Sequence, residues 1–286
     1  MIVDSHVHIW APHCADRPWP NPQTAKPHKA YPGISEHGMS KQMLVAAMDA
    51  AGVNRAILIP PSWEGHYNDL ALDAVQSYPE RFAIMGRIFL EEPMPEAQFN
   101  LWRQQQGIVG VRCIFHSPRY QQLLCDGAFD WFWQIAASNK VPVTLMMPGL
   151  KNAALIIEHL LKTFPELKLS LDHVNIQGAD KDQVATQVKQ FSALAHYDNF
   201  AIKTSAVPSW SQEPFPFKDT HDHLKRLFDA FGPQRMFWGS DFTRLDVDYR
   251  RAVCQFTEAM NWLDGRDLEW VMGRGVCEWL GWPINT

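Results

Sequence analysis

The chain lacks a long apolar run and lacks a surplus of positive charge. Its 286 residues carry 26 Lys and Arg against 31 Asp and Glu, which gives a formal net charge of -5. A membrane span needs about 20 consecutive apolar residues, and binding to nucleic acid through phosphates needs a basic surface. The N-terminus has neither the basic nor the apolar segment of a secretory leader. We therefore expect a cytoplasmic protein with no membrane or nucleic-acid partner.

Cysteine pairs and glycine-rich phosphate loops are also missing. The five cysteines are scattered, without the close spacings of a metal knuckle, and an odd, scattered set indicates reduced thiols rather than a disulfide framework. No G-x-G-x-x-G segment follows any candidate strand, which disfavours an open, doubly wound nucleotide-binding sheet.

Short β-rich runs alternate with segments of helical period along the whole chain. The candidate strands are Ile2–Ile9, Arg55–Pro60, Phe82–Phe89, Ile108–Phe115, Val141–Met147, Leu167–Val174, Phe200–Ala206 and Arg235–Asp241. The clearest helical segments are 41–52, 68–80, 153–165, 181–197 and 220–232. Eight such units predict one domain over residues 1–286, an α/β (β/α)8 TIM barrel with its active site at the C-terminal ends of the strands. The aperiodic stretches 11–40 and 208–219 are predicted to be loops on that face.

The first strand carries an unusual polar stripe in the segment IVDSHVHIW. Asp4, His6 and His8 alternate, so their side chains are expected on one face of the strand. Two imidazoles about 6–7 Å apart along a strand can converge on one ion or one substrate group. The similar His221-Asp222-His223 opens a predicted helix, where residues i and i+2 point about 200° apart and cannot share a ligand.

Other predicted strands also end in residues that could carry chemistry. Strands three and four supply Arg87 and Arg112, and strand six supplies Asp172 and His173. Strand seven supplies Lys203 and Ser205, and strand eight supplies Ser240 and Asp241. For Arg87 and Lys203 a structural ion pair with a neighbouring carboxylate, Asp172 for the lysine, is the alternative to a functional role.

These motifs together resemble the amidohydrolase superfamily, in its branch called amidohydrolase 2. The matching pieces are VDSHVHIW, PERFAIMGRI, GIVGVR, LDHV and MFWGSDFTR. The branch includes pyrone-dicarboxylate and sugar lactonases and decarboxylases similar to the aminocarboxymuconate-semialdehyde enzyme. The resemblance implies a (β/α)8 barrel in which His6, His8 and Asp241 bind a divalent ion in metal-containing members. It implies that His173 is a ligand, a proton-transfer group or a group that polarises the substrate.

The chain departs from that pattern at the end of strand five. Metal-binding relatives usually have a histidine there, whereas this chain has LMMPG, and strand four carries Arg112. Three protein ligands suffice for zinc, so zinc or manganese on His6, His8 and Asp241 and a metal-free site both stay open.

The expected activity is hydrolysis of a lactone of a small carboxylated or cyclic substrate. Asp241 is the expected general base for water, while His6, His8 and His173 polarise the carbonyl. The basic residues expected to hold a substrate carboxylate are Arg87, Arg112, Arg244 and Lys203. The alternatives are a metal-dependent non-oxidative decarboxylase and a ligand-binding barrel without catalysis. Tryptophans in the loops make a homodimer a further expectation.

Overall fold

The eight predicted strands form one nearly closed parallel barrel. A computed structural model describes residues 1–23, 25, 28, 38–176 and 178–284. The strands pair in chain order from first to last. They are β1 (Val3–Val7), β2 (Arg55–Leu58), β3 (Phe82–Gly86), β4 (Ile108–Ile114), β5 (Val143–Met146), β6 (Leu169–Leu171), β7 (Phe200–Ser205) and β8 (Met236–Gly239). The predicted (β/α)8 architecture is confirmed.

The first and last strands meet closely where the barrel closes. The backbone N–H of Asp241 donates to the carbonyl oxygen of His6 at 2.9 Å. A Cβ atom at Gly239 would lie 2.6 Å from the Oγ of Ser5 and 3.1 Å from the Cβ of His6. Only glycine leaves room for this approach, which brings the ends of β1 and β8 together.

Helices alternate with the strands as predicted. In the described residues they are α1 (Lys41–Ala51), α2 (Asp69–Ser77), α3 (Glu96–Arg103), α4 (Pro118–Cys125), α5 (Asp130–Ser138), α6 (Ala153–Thr163), α7 (Lys181–Ser192), α8 (His221–Phe231), α9 (Tyr249–Thr257), α10 (Gly265–Glu269) and α11 (Gly275–Leu280). Ser40 caps α1 by accepting from the N–H of Met43, and left-handed Gly52 ends it. None of these helices is long and apolar enough to cross a membrane.

The last helix covers the N-terminal ends of the strands. An apolar cluster joins Ile57 and Phe237 of the barrel to Val276 of α11. Arg55, which opens β2, donates to the carbonyl oxygen of Pro283 at 2.7 Å. With this end of the barrel filled by apolar side chains, the polar strand ends of the opposite face remain for chemistry.

The two predicted loops begin after the C-terminal ends of β1 and β7. After β1, Trp10 and Met39 exchange two backbone hydrogen bonds of 3.0 Å, which brings the two ends of the first loop together. Residues 24, 26, 27 and 29–37 of the predicted first loop lie outside the described residues. The second loop contains two short 3₁₀ turns, Val207–Trp210 and Lys218–Thr220.

Candidate active site

An irregularity in β1 interrupts the predicted polar stripe. The pairing of β1 with β2 shifts register between Asp4 and Val7. The carboxylate of Asp4 accepts from the backbone N–H groups of His6 and Ser240, at 2.9 and 2.8 Å, and from the hydroxyl of Tyr249 in α9 at 2.6 Å. Asp4 therefore holds the backbone next to His6.

His6 of β1 and His8, directly after the strand, converge as predicted. Their Nε2 atoms lie 3.2 Å apart, and both side chains are buried. Nδ1 of His8 lies 2.6 Å from the carbonyl oxygen of Ile59. Nδ1 of His6 lies 2.9 Å from Nζ of Lys203 and 3.2 Å from Oδ1 of Asp172. Each ring is thus fixed through its Nδ1, which leaves both Nε2 atoms facing the site.

Asp172 is the buried counter-ion for two of the predicted basic residues. It accepts from Nε of Arg112 at 2.7 Å and lies 2.8 Å from Nζ of Lys203. Burial alone would raise the pKa of Asp172, but Lys203, His6 and Arg112 outweigh it and hold this pKa well below the usual range. The ion pair considered for Lys203 is present. The charges of Lys203 and Arg112 are therefore largely compensated inside the protein.

His173 follows β6 in a strained turn. Its φ is 55°, and Val174 and Asn175 also have positive φ, so the chain leaves the sheet at Leu171, before the predicted end of the strand. Nδ1 of His173 lies 2.8 Å from the hydroxyl oxygen of Ser205. Burial lowers the pKa of His173 to about 3, which keeps the imidazole neutral.

Asp241 lies at the centre of the histidines. Its Oδ1 is 3.4 Å from Nε2 of His8, and its Oδ2 is 3.7 Å from Nε2 of His173 and 3.9 Å from Nη1 of Arg244. Oδ1 is buried and has no hydrogen-bond partner among the described residues. Burial raises the pKa of Asp241 to about 7, although Arg244 and Arg112 act in the opposite direction.

The donor atoms of this cluster fit a divalent ion. His6, His173 and Asp241 offer one ligand atom each within 4.8 Å of one another, and so do His8, His28 and Asp241. Two imidazoles and a carboxylate suit zinc, and the unpartnered Oδ1 of Asp241 is a free ligand atom. At the end of β5, Met146 instead contacts Arg112, whose Nη2 lies 3.2 Å from its sulfur.

His28 is a member of the site that sequence reasoning did not identify. Its Nδ1 lies 2.8 Å from Oγ1 of Thr243 and 3.7 Å from Oδ1 of Asp241. Its ring packs edge-on to those of His8 and Trp63. His28 belongs to the aperiodic loop after β1, where the only signal was a stretch rich in proline and histidine.

Arg87 differs from the other basic residues of the site because no described carboxylate pairs with it. Arg87 is only 9% exposed, and its Nη1 is buried without a hydrogen-bond partner among the described residues. Burial and the nearby charge of Arg112 lower the pKa of Arg87 to about 10. Nδ1 of His66 is buried without a described partner as well, and Arg87 lowers the pKa of His66 in addition to burial. The structural ion pair considered for Arg87 is absent from the described residues.

Two lactone hydrolases are among the sequence relatives of the chain. The chain is 22% identical over 250 residues to 4-sulfomuconolactone hydrolase of Hydrogenophaga intermedia, which covers 84% of this chain and 73% of that protein. It is 22% identical over 249 residues to L-fucono-1,5-lactonase of Burkholderia ambifaria, covering 84% of this chain and 79% of the relative.

Solved structures match the barrel almost end to end. An amidohydrolase from Burkholderia multivorans with bound zinc has a TM-score of 0.81 at 18% identity, with 99% of this chain and 100% of that chain covered. A 2,6-dihydroxybenzoate decarboxylase from Rhizobium has a TM-score of 0.67 at 15% identity, with 98% of each chain covered. The amidohydrolase family model matches residues 3–273. The chain therefore belongs to this family and is an enzyme of the amidohydrolase superfamily.

Proposed function

We propose that the enzyme hydrolyses the ring ester bond of a small lactone that carries an anionic group. The observation that carries the proposal is the buried Oδ1 of Asp241, which has no described hydrogen-bond partner and lies 3.4 Å from Nε2 of His8. A carboxylate oxygen held free among imidazoles is placed to take a proton from water. The two lactone hydrolases among the relatives support the same reaction class.

In the proposed reaction Asp241 accepts one proton from water and later donates it to the leaving ring oxygen. Water attacks the lactone carbonyl carbon while Asp241 takes one of its protons, which gives a tetrahedral oxyanion. The oxyanion then re-forms the carbonyl and expels the ring oxygen, which receives the proton from Asp241. The products are the hydroxy acid and the unprotonated Asp241 with which the cycle began.

His173 stabilises the oxyanion in this proposal. Nδ1 of His173 can accept from the Ser205 hydroxyl, at 2.8 Å, and the ring proton is then on Nε2, which faces Asp241. An N–H donor aimed at developing charge in a water-poor site is worth about 10²–10³ in rate. His6 and His8 complete the wall around the carbonyl.

A divalent ion fits the same residues. His6, His173 and Asp241, or His8, His28 and Asp241, would hold it, and when bound it would supply Lewis-acid polarisation of the carbonyl and a more acidic water.

The anionic group of the substrate is assigned to Arg87. Arg112 and Lys203 already face Asp172 at 2.7 and 2.8 Å, whereas Arg87 has an unpartnered, buried Nη1 among the described residues. An arginine in this state is complementary to a carboxylate or sulfonate.

We also propose a cytoplasmic location, which the five free cysteines support.

A panel of sugar-acid lactones and carboxylated unsaturated lactones, followed by acid release, tests the function. We expect turnover by the wild type and a loss of about 10²–10⁴ in kcat for Asp241→Asn, with no loss for Asp246→Asn, an exposed aspartate nearby. Release of carbon dioxide from a carboxylated aromatic instead of lactone opening would indicate the decarboxylase alternative. A folded protein that binds the lactones without turnover would indicate a binding barrel.

A further inference from the structure

Lys203 is a buried cation in direct contact with a candidate metal ligand. It lies in β7 and is 3% exposed. Its Nζ is 2.8 Å from Oδ1 of Asp172 and 2.9 Å from Nδ1 of His6. An ammonium group has three donors and no lone pair, so it can only donate to both neighbours. The Nδ1 atom of His6 must therefore accept.

That contact determines which nitrogen of His6 carries the ring proton. A neutral imidazole whose Nδ1 accepts has its proton on Nε2. Nε2 of His6 lies 3.2 Å from Nε2 of His8, to which it donates. His8 can accept there because its own Nδ1 lies 2.6 Å from the carbonyl oxygen of Ile59, which only accepts. The contacts of Lys203, His6, His8 and Ile59 thus form one consistent donor chain.

This chain conflicts with metal binding by His6. A histidine that binds a metal through Nε2 needs its lone pair there and its proton on Nδ1, usually donated to a carboxylate. Asp172 provides that carboxylate, since its Oδ1 lies 3.2 Å from Nδ1 of His6. Lys203 and Asp172 therefore compete for the same ring nitrogen, and they favour opposite tautomers.

We propose that Lys203 is a positioning residue that holds His6 in the Nε2–H tautomer and thereby opposes binding of a divalent cation by His6, His173 and Asp241. The part of its positive charge that Asp172 leaves uncompensated acts in the same direction, because like charges repel. Lys203 is not needed to balance the negative charge of Asp172, because Arg112 already donates to the other oxygen of this carboxylate at 2.7 Å. The tautomer of His6 and the affinity for the divalent cation can both be measured without knowing the substrate.

The first test is the affinity for zinc alone, measured with chelator-treated protein by competition with a chromophoric chelator. Lys203→Met removes the charge and the donor while keeping a long side chain. We expect it to bind one zinc per chain with a Kd at least tenfold lower than that of the wild type. Asp172→Asn replaces the competing carboxylate by an uncharged, weaker acceptor and should bind zinc more weakly than the wild type.

A matched control separates this effect from a change of net charge. Lys168→Met loses the same charge at an exposed position, where Nζ contacts the carbonyl oxygen of Trp279 at the other end of the barrel. Its zinc affinity should equal that of the wild type. An unchanged or weakened affinity in Lys203→Met, with native circular dichroism, overturns the proposal.

The second test reads the tautomer directly, and its decisive measurement is made on the wild type. Nitrogen-15 NMR of metal-free wild type should show the His6 ring, assigned by its loss in His6→Asn, as the Nε2–H form. Lys203→Met should shift it to the Nδ1–H form. A wild-type His6 with its proton on Nδ1 contradicts the proposal, and this spectrum decides the question even where Lys203→Met does not fold.

Discussion

The Tyr249 hydroxyl donates a hydrogen bond of 2.6 Å to the Asp4 carboxylate and so connects the first strand of the barrel to the helix that follows the last. The other carboxylate oxygen accepts from the backbone N–H of Ser240 at 2.8 Å. Burial raises the pKa of Asp4, and these hydrogen bonds oppose that rise. The closure of the barrel beside the active site therefore depends on a buried carboxylate that needs its donors.

Tyr249→Phe is expected to lower the free energy of unfolding by about 1–3 kcal/mol, because it leaves a buried carboxylate oxygen without its hydroxyl donor. Urea unfolding followed by circular dichroism measures the change. Tyr197→Phe is the control, since its hydroxyl donates to Glu158 at 3.3 Å in a half-buried position, and it should change stability by less. Equal effects of the two substitutions would contradict the assigned role of Asp4.

Gly239 and Ser5 are in close contact where β8 meets β1, and this contact leads to a second prediction of stability. Gly239→Ala should cost about 1–3 kcal/mol of unfolding free energy, because its Cβ would lie 2.6 Å from Oγ of Ser5. That hydroxyl is buried without a described partner, so Ser5→Ala alone should cost little. The double variant should regain part of the loss in thermal unfolding, and a purely additive result would contradict the close contact.

The pH dependence of the reaction should follow Asp241. The base must be ionised to accept a proton from water, and burial raises the pKa of Asp241 to about 7. In chelator-treated protein kcat/KM should therefore fall as the pH drops below about 7, approaching tenfold per pH unit.

Arg244 offers a check on this assignment. Because Arg244 lowers the pKa of Asp241, Arg244→Met should move the inflection of kcat/KM to higher pH. Arg251→Met removes an exposed arginine that pairs with Asp248 and should leave the profile unchanged. A profile that is flat between pH 5 and 8 in the wild type would exclude Asp241 as the base.

Much of the fold could be predicted from the sequence because buried strands leave a local signal. Phe82–Gly86 is an apolar run that ends at Arg87, and β7 begins with the apolar residues Phe200 to Ile202. The end of β6 could not be predicted, since LDHV continues the pattern of a strand. His173 and Val174 instead take left-handed conformations that the surrounding structure imposes.

Site residues could be identified from the sequence where they lie at the ends of strands, and they could not be identified in the loops. His6, His8 and Asp241 could be placed together because parallel strands end at one face of a barrel. His28 lies in an aperiodic loop, where no periodicity indicates which side chain reaches Asp241. The carboxylate of Asp4 accepts from two backbone N–H groups and from Tyr249, and the register shift between β1 and β2 after Asp4 has no signature in the segment VDSHV.

Arg87 is expected to select the anionic group of the substrate. Arg87→Met should raise KM for a carboxylated lactone by about 10–100-fold with little change in kcat, because the lost interaction is made equally in the ground and transition states. The same variant should hydrolyse the methyl ester of that lactone as well as the wild type does, since the ester has no charge to lose. Arg119→Met is the control, because Arg119 is an exposed arginine that pairs with Glu91 on the surface, and it should change neither substrate. A similar loss on the acid and on its ester would mean that Arg87 supports the fold of the site. In that case the anion would have to bind to Arg244, whose side chain is 26% exposed beside Asp241.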